Sequence, residues 1–161
     1  MTKRSLSLLL MMIGFLAYTP AQAQIGLGVK ALYGLDSEEA QLGGELHVPI
    51  GSVTGLTFVP TLEVYLTDNP DVLSINANFH YAPPVGAGSS VRPYFGLGIG
   101  AIRVSIDRRG EDIEETKSAF NVLGGVNFRT AGSLTPFVQI QYRASDFFEE
   151  ASIGGGLRFV L

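Results

Sequence analysis

From residue 24 onward the chain alternates between apolar and polar positions with a period of two. Ile25, Leu27, Val29, Ala31 and Tyr33 fall on one side of a pleated strand, with Gln24, Gly26, Gly28, Lys30 and Leu32 on the other. The same period returns over residues 41–50, 56–65, 73–81, 91–101, 119–129, 134–143 and 151–161. Each run offers one apolar face and one face of polar residues or glycine, the pattern of a β-strand with two different surroundings. No segment between the runs carries helical spacing long enough for a crossover. Successive strands should therefore be antiparallel and arranged as a meander. Eight strands with no helix to cover an edge predict closure into an all-β, up-and-down barrel.

A barrel can turn either face inward. The polar faces hold Lys30, Glu45, Glu63, Gln139, Gln141, Arg143 and Arg158 among many of the 20 glycines. Glycines would leave an exposed surface bare, but inside a narrow eight-stranded barrel they make room for a large side chain on the next strand. The connections also differ by end. Residues 34–39, 67–71, 106–117 and 144–150 are expected as loops and contain every acidic residue except Glu45 and Glu63. Residues 51–54, 82–90 and 130–133 are expected as the opposite turns and contain no charged residue. Outward aromatics gather near the strand ends: Phe58, Phe79, Tyr81, Phe95, Phe128 and Phe159 toward one rim, Tyr33, Phe120 and Tyr142 toward the other. An aliphatic band between two aromatic girdles, with short bland turns on one side and longer charged loops on the other, predicts a transmembrane barrel with its polar face inside. Pro49, Pro93 and Pro136 fall at strand ends, where a missing ladder donor is tolerated, whereas Pro60 lies deeper.

The first residues read differently. Lys3 and Arg4 precede the apolar run SLSLLLMMIGFLAY, which is short for a bilayer span, and Ala21-Gln22-Ala23 is a small-x-small site. This is the layout of a secretory signal peptide, residues 1–23, cleaved after Ala23. Residues 24–161 then form one barrel domain, directed to the outer membrane of a Gram-negative cell. Removing residues 1–23 deletes two basic residues from a chain whose formal net charge is already −4, which disfavours nucleic acid as a partner. There is no cysteine, so neither disulfides nor a lipid-modified cysteine enter the fold.

The stretch RPYFGLGIGA, residues 92–101, contains the G-x-G-x-x-A spacing of a dinucleotide-binding turn, as does Gly26-Leu27-Gly28-Val29-Lys30-Ala31. Such a turn needs a strand before it and a helix after it. Both copies lie within alternating strands, so no cofactor is expected, and the glycines are assigned to making space. RPYFGLGIGA resembles the R-P-Y-x-G-x-G-x-G strand of the outer-membrane β-barrel family that includes the small OmpA/OmpX-like proteins. The resemblance covers residues 24–161, including a last strand ending in Leu157, Phe159 and Leu161, similar to the signal read by the barrel-assembly machinery. The family usually ends in Phe, and this chain in Leu161. The resemblance implies an integral outer-membrane protein of the cell envelope and no single activity, because one fold hosts many roles.

The residues point to no enzyme. His47 and His80 are the only histidines, both inward, and Ser74 stands about 20 Å from His80 along the same strand. No catalytic, cofactor-binding or metal-binding residues are assigned. Lys30, Glu45 and Glu63 should lie at similar depth on neighbouring strands, with Lys30 paired to both glutamates and Arg143 and Arg158 joining across the interior. Unpaired charges there would be costly, so this lumen charge cluster should plug the barrel. The function expected is a structural or surface-interaction role in a monomer whose partners are outer-membrane lipids, lipopolysaccharide and the assembly machinery. The alternatives are a narrow porin-like ion-leak channel, a lipid-modifying outer-membrane enzyme and a secreted lipocalin-like carrier. The acidic loops could hold divalent cations that bridge to lipopolysaccharide phosphates.

Overall fold

The computed structural model describes residues 24–67, 71–86, 88–108, 111–146 and 149–161. The segment assigned to a signal peptide, residues 1–23, lies outside the described residues. Eight strands follow in chain order: β1 (Gly26–Gly34), β2 (Ala40–Pro49), β3 (Leu56–Leu66), β4 (Asp71–Tyr81), β5 (Val91–Arg108), β6 (Glu111–Phe128), β7 (Leu134–Ser145) and β8 (Glu149–Val160). Each pairs antiparallel with its sequence neighbour, and β1 pairs with β8, giving a closed all-antiparallel barrel. Leu161 N–H donates to the Ile25 carbonyl at 2.8 Å and extends that closure to the last residue. Among the described residues no helix is long and apolar enough to cross a membrane.

The period-two pattern translates directly into burial. Val29, Ile75, Ile99 and Ile140 point outward and are 57%, 58%, 68% and 61% exposed. Lys30, Asn76, Asn121 and Arg143, one step along or across, are buried. The barrel is thus apolar outside and polar inside, the reverse of a water-soluble domain. Among the described residues, small apolar clusters sit toward the two ends of the lumen: Tyr65, Val72, Ile102 and Ala119 at one, Tyr94, Leu123 and Phe137 at the other. Aromatics pair on the outside near the strand ends, with ring centroids 5.2 Å apart for Phe58–Phe79 and 5.4 Å for Tyr81–Phe95.

One expectation is corrected. Residues 106–108 and 111–117 are strand and not loop: β5 and β6 run on for 18 residues each, paired to each other as far as Arg108↔Glu111. Pairing with β4 stops at Ser105 and with β7 at Ala119, so the hairpin extends past the rim. The physical reason is composition. A strand beyond the apolar band no longer needs an apolar face, so its charges read as a loop while its alternation continues. Arg103 and Glu114 form an ion pair across this hairpin, both about half exposed.

Pro60, whose depth the pattern left unexplained, has a visible consequence. The β2–β3 ladder holds at Glu45↔Thr61 and again at Val48↔Phe58, and no pairing is formed between. Pro60 has no N–H to donate toward β2, so the ladder opens beside it, while the β4 side keeps Pro60↔Ala77.

Candidate functional site

The lumen holds the chemistry. Its side chains are placed by the register, and the register sets glycines between the partners. Lys30 on β1 faces Gly43 on β2, and Gly43 faces Glu63 on β3. With no side chain on the middle strand, Lys30 reaches over it, and its Nζ lies 2.6 Å from Glu63 Oε1. A Cβ on Gly43 would meet Glu63 Cγ at 3.0 Å and Lys30 Cε at 3.2 Å. Gly28 on β1 stands in the same way between Glu45 on β2 and Arg158 on β8. Arg158 Nη2 donates to Glu45 Oε1 at 3.3 Å across it. Gly98 separates Asn78 from Asn121, whose Nδ2 donates to Asn78 Oδ1 at 3.3 Å. Gly125 separates Tyr94 from Gln139, and the Tyr94 hydroxyl donates to Gln139 Oε1 at 3.0 Å. Four partnerships therefore skip a strand over a glycine. Two of those glycines, Gly28 and Gly98, belong to the motifs that mimic a nucleotide turn.

The five lumen charges sort into two groups. In one, Glu63 is the centre: Lys30 binds one oxygen and Arg143 the other. Arg143 also donates through Nε to Asn121 Oδ1 at 3.0 Å and through Nη1 to the Tyr65 hydroxyl. Asn121 carries the network on to Asn76 Oδ1 at 2.9 Å, and Asn76 to Thr61 Oγ1 at 3.1 Å. In the other, Glu45 Oε1 takes His47 Nε2 at 2.7 Å and Arg158 at 3.3 Å. Sequence reasoning joined Lys30 to both glutamates; the salt bridges instead give Lys30 to Glu63 and give Glu45 to His47 and Arg158. Lys30 is adjacent to Glu45 by strand, but its side chain leans across Gly43 instead.

His47 was missed as a member of this network, although its place two residues after Glu45, hence on the same face, was readable. Tyr65 and Asn121 were missed as ligands of Arg143 for a different reason, since only the register across the barrel reveals them. His80 stacks on Tyr94, centroids 5.3 Å apart, with its Nε2 unpartnered among the described residues. Ser74 Oγ donates to Asn76 at 3.2 Å. No group of three or more His, Asp or Glu able to hold a metal ion occurs among the described residues. The acids at the end of the barrel away from the chain termini include Asp36, whose carboxylate accepts from Ala151 N–H at 2.8 Å.

This geometry defines a class of protein: a small closed barrel with an exposed apolar band outside and a hydrogen-bonded polar interior. No family model and no curated protein matches the sequence. Solved structures match the fold. The N-terminal β-barrel domain of Pseudomonas aeruginosa OprF superposes with a TM-score of 0.73 at 12% identity, covering 87% of this chain and 98% of that one. Neisserial surface protein A gives 0.67 at 18% identity, covering 86% and 96%. Ail, the attachment invasion locus protein of Yersinia pestis, gives 0.56 at 13% identity, covering 84% and 95%. The chain has the fold of the small eight-stranded outer-membrane barrels.

Proposed function

We propose that this chain is an integral outer-membrane barrel with a structural or surface-interaction role, its lumen closed by the Lys30–Glu63–Arg143 and His47–Glu45–Arg158 groups. The observation that carries it is the inverted burial pattern: an exposed aliphatic band around buried, mutually paired charges. The likeness to outer-membrane barrels supports the location, with the chain termini and the uncharged turns facing the periplasm and the acidic connections facing outward. Bilayer lipid and lipopolysaccharide are its surroundings, and the β8 end is the segment offered to the assembly machinery. The barrel acts as a monomer. It is not an enzyme in this reading, because His47 is engaged by Glu45 and His80 by Tyr94, away from any activated nucleophile. The network is dense enough to stabilise the barrel on its own account, since each member satisfies a neighbour that would otherwise be buried unpaired.

Membrane fractionation and gel migration test the reading. The protein should fractionate with the outer membrane, and an unheated sample should migrate apart from a boiled one. A soluble periplasmic product would end it. A second reading, a narrow ion leak, is favoured by one feature: between the apolar clusters at its ends the lumen is filled by ion pairs, which can open. Planar-bilayer recording separates the two. A stabilising plug gives a silent wild type. A gate gives small openings that increase in Lys30→Ala, where Glu63 loses one of its two cations.

A further inference from the structure

Glu45 and Glu63 are matched within the lumen, but the mouth at the terminus end is not neutral. There Arg92 on β5 and Arg158 on β8 line one cavity of about 330 Å³ together with Asn127, Thr57 and the β2–β3 turn. Asn127 lies between them: it is the register partner of Arg92, and its Oδ1 accepts from Arg158 Nη1 at 3.0 Å. Among the described residues Glu45 is the only carboxylate bonded to either arginine, through Arg158 Nη2 at 3.3 Å. Arg92 has one neutral acceptor, the Ala82 carbonyl at 3.0 Å from Nη2. A guanidinium carries five N–H donors in a fork that suits carboxylate and phosphate oxygens. Two forks thus line one cavity, Arg158 bonded to one carboxylate and Arg92 to none, and the Nε of each is buried without an acceptor. The two guanidinium groups lining this cavity are therefore matched by one bonded carboxylate, Glu45.

Backbone hydrogen bonding fixes one side of the cavity. Gly55 adopts φ 87°, a left-handed conformation, and its carbonyl accepts from Ala82 N–H at 2.9 Å. That ties the β2–β3 turn to Ala82, and the same residue's carbonyl receives Arg92. The turn, Arg92 and the cavity wall are one hydrogen-bonded unit, so the arginine is positioned before any ligand arrives.

We propose that this mouth is a binding site for a phosphate-class oxyanion, bridged by Arg92 and Arg158 with Asn127 and Thr57 beside it. The site is independent of whether the lumen conducts. Either a free periplasmic ion or the headgroup of a phospholipid at the adjacent rim carries that chemistry.

The probe is inorganic phosphate, titrated into the folded full barrel in non-ionic detergent at constant ionic strength held with chloride. The readout is the temperature at which unheated-gel mobility changes, with side-chain NMR of Arg Nε–H and Asn127 as a direct second readout. The wild type should show a saturable rise in that temperature and saturable shifts at those resonances. Arg92→Gln should weaken the apparent affinity by at least about tenfold, the effect of losing one charge-assisted contact. Arg92 is the chosen variant because it has a single neutral contact, so the fold should survive the change. Arg129→Gln, at the same rim but outside the cavity, should leave the titration unchanged. No saturable effect of phosphate over chloride, or equal loss in the Arg92 and Arg129 variants, overturns the proposal. Added short-chain phosphatidylglycerol that competes with phosphate assigns the site to a lipid headgroup, and failure to compete assigns it to a soluble ion.

Discussion

Gly28→Ala is the sharpest test of how the lumen is built. In isolation the change should help, because glycine within a strand is destabilising by roughly 0.5–1 kcal/mol relative to alanine. The lumen reverses the sign. A Cβ at residue 28 would lie 2.6 Å from Glu45 Cγ and 2.7 Å from Glu45 Oε1, far inside contact distance. Glu45 has to swing away, and it then leaves His47 and Arg158, its two partners. Breaking a buried ion pair costs about 3–5 kcal/mol, so the net loss should be about 2–4 kcal/mol once the strand term is subtracted. The control is Gly44→Ala, on the lipid-facing side of β2, where an added Cβ meets nothing within 4 Å. That variant should be neutral or slightly more stable. Urea unfolding of the barrel in micelles, followed by the mobility of unheated samples, measures both. A double-mutant cycle with Glu45→Ala isolates the contact: once Glu45 is gone, the Gly28→Ala penalty should largely vanish. Equal stability of the Gly28 and Gly44 variants, or a penalty that persists without Glu45, would refute the idea that this glycine exists to let a side chain pass.

Other outcomes follow from the same network. Lys30→Ala should destabilise by about 3–5 kcal/mol in the same unfolding assay, and the exchange Lys30→Glu with Glu63→Lys should recover part of it, whereas an exchange with Glu45 should not. Tyr65→Phe removes an acceptor from a buried Arg143 donor and should cost about 1–3 kcal/mol. Leu62→Arg, at an outward position 49% exposed, should cost about 2–4 kcal/mol near a bilayer midplane, and unfolding in lipid vesicles should show it more strongly than in micelles. Removing residues 106–113 should leave the heat-dependent gel shift intact, because that part of the hairpin pairs with neither β4 nor β7.

Strand number, closure and the inward face were legible because period two is a local property. Lys30, Glu63 and Arg143 could be assigned to the interior from their neighbours in the chain alone. Their partners could not. Register between strands is a nonlocal quantity, and a shift of two residues keeps every side chain on its face while changing every pair. That is why the pattern pairs Lys30 with both Glu45 and Glu63, whereas the ion pair its amine makes is with Glu63. The end of β5 was misjudged for the complementary reason. The apolar band gives a strand its contrast, and past the band the charged stretch from Asp107 to Lys117 reads as a loop although the ladder between β5 and β6 continues to Arg108↔Glu111.

The glycines carried more of the register than their spacing suggested. A narrow barrel brings next-but-one strands within reach, but only where the strand between them has no side chain on the inner face. Each inward glycine is therefore a permitted crossing, and an inward polar residue on either side of it is a candidate partner. Lys30 over Gly43 to Glu63, Arg158 over Gly28 to Glu45, Asn121 over Gly98 to Asn78 and Tyr94 over Gly125 to Gln139 all obey this. The G-x-G spacing that imitates a nucleotide turn is what such crossings produce when they recur at successive inward positions of one strand. Gly98 and Gly100 show it within β5: Gly98 faces Asn78 and Gly100 faces Asn76, and Asn121 of the next strand bonds both asparagines. Space left on one strand is thus filled by hydrogen bonds between its neighbours, made by the side chains that the glycines let through.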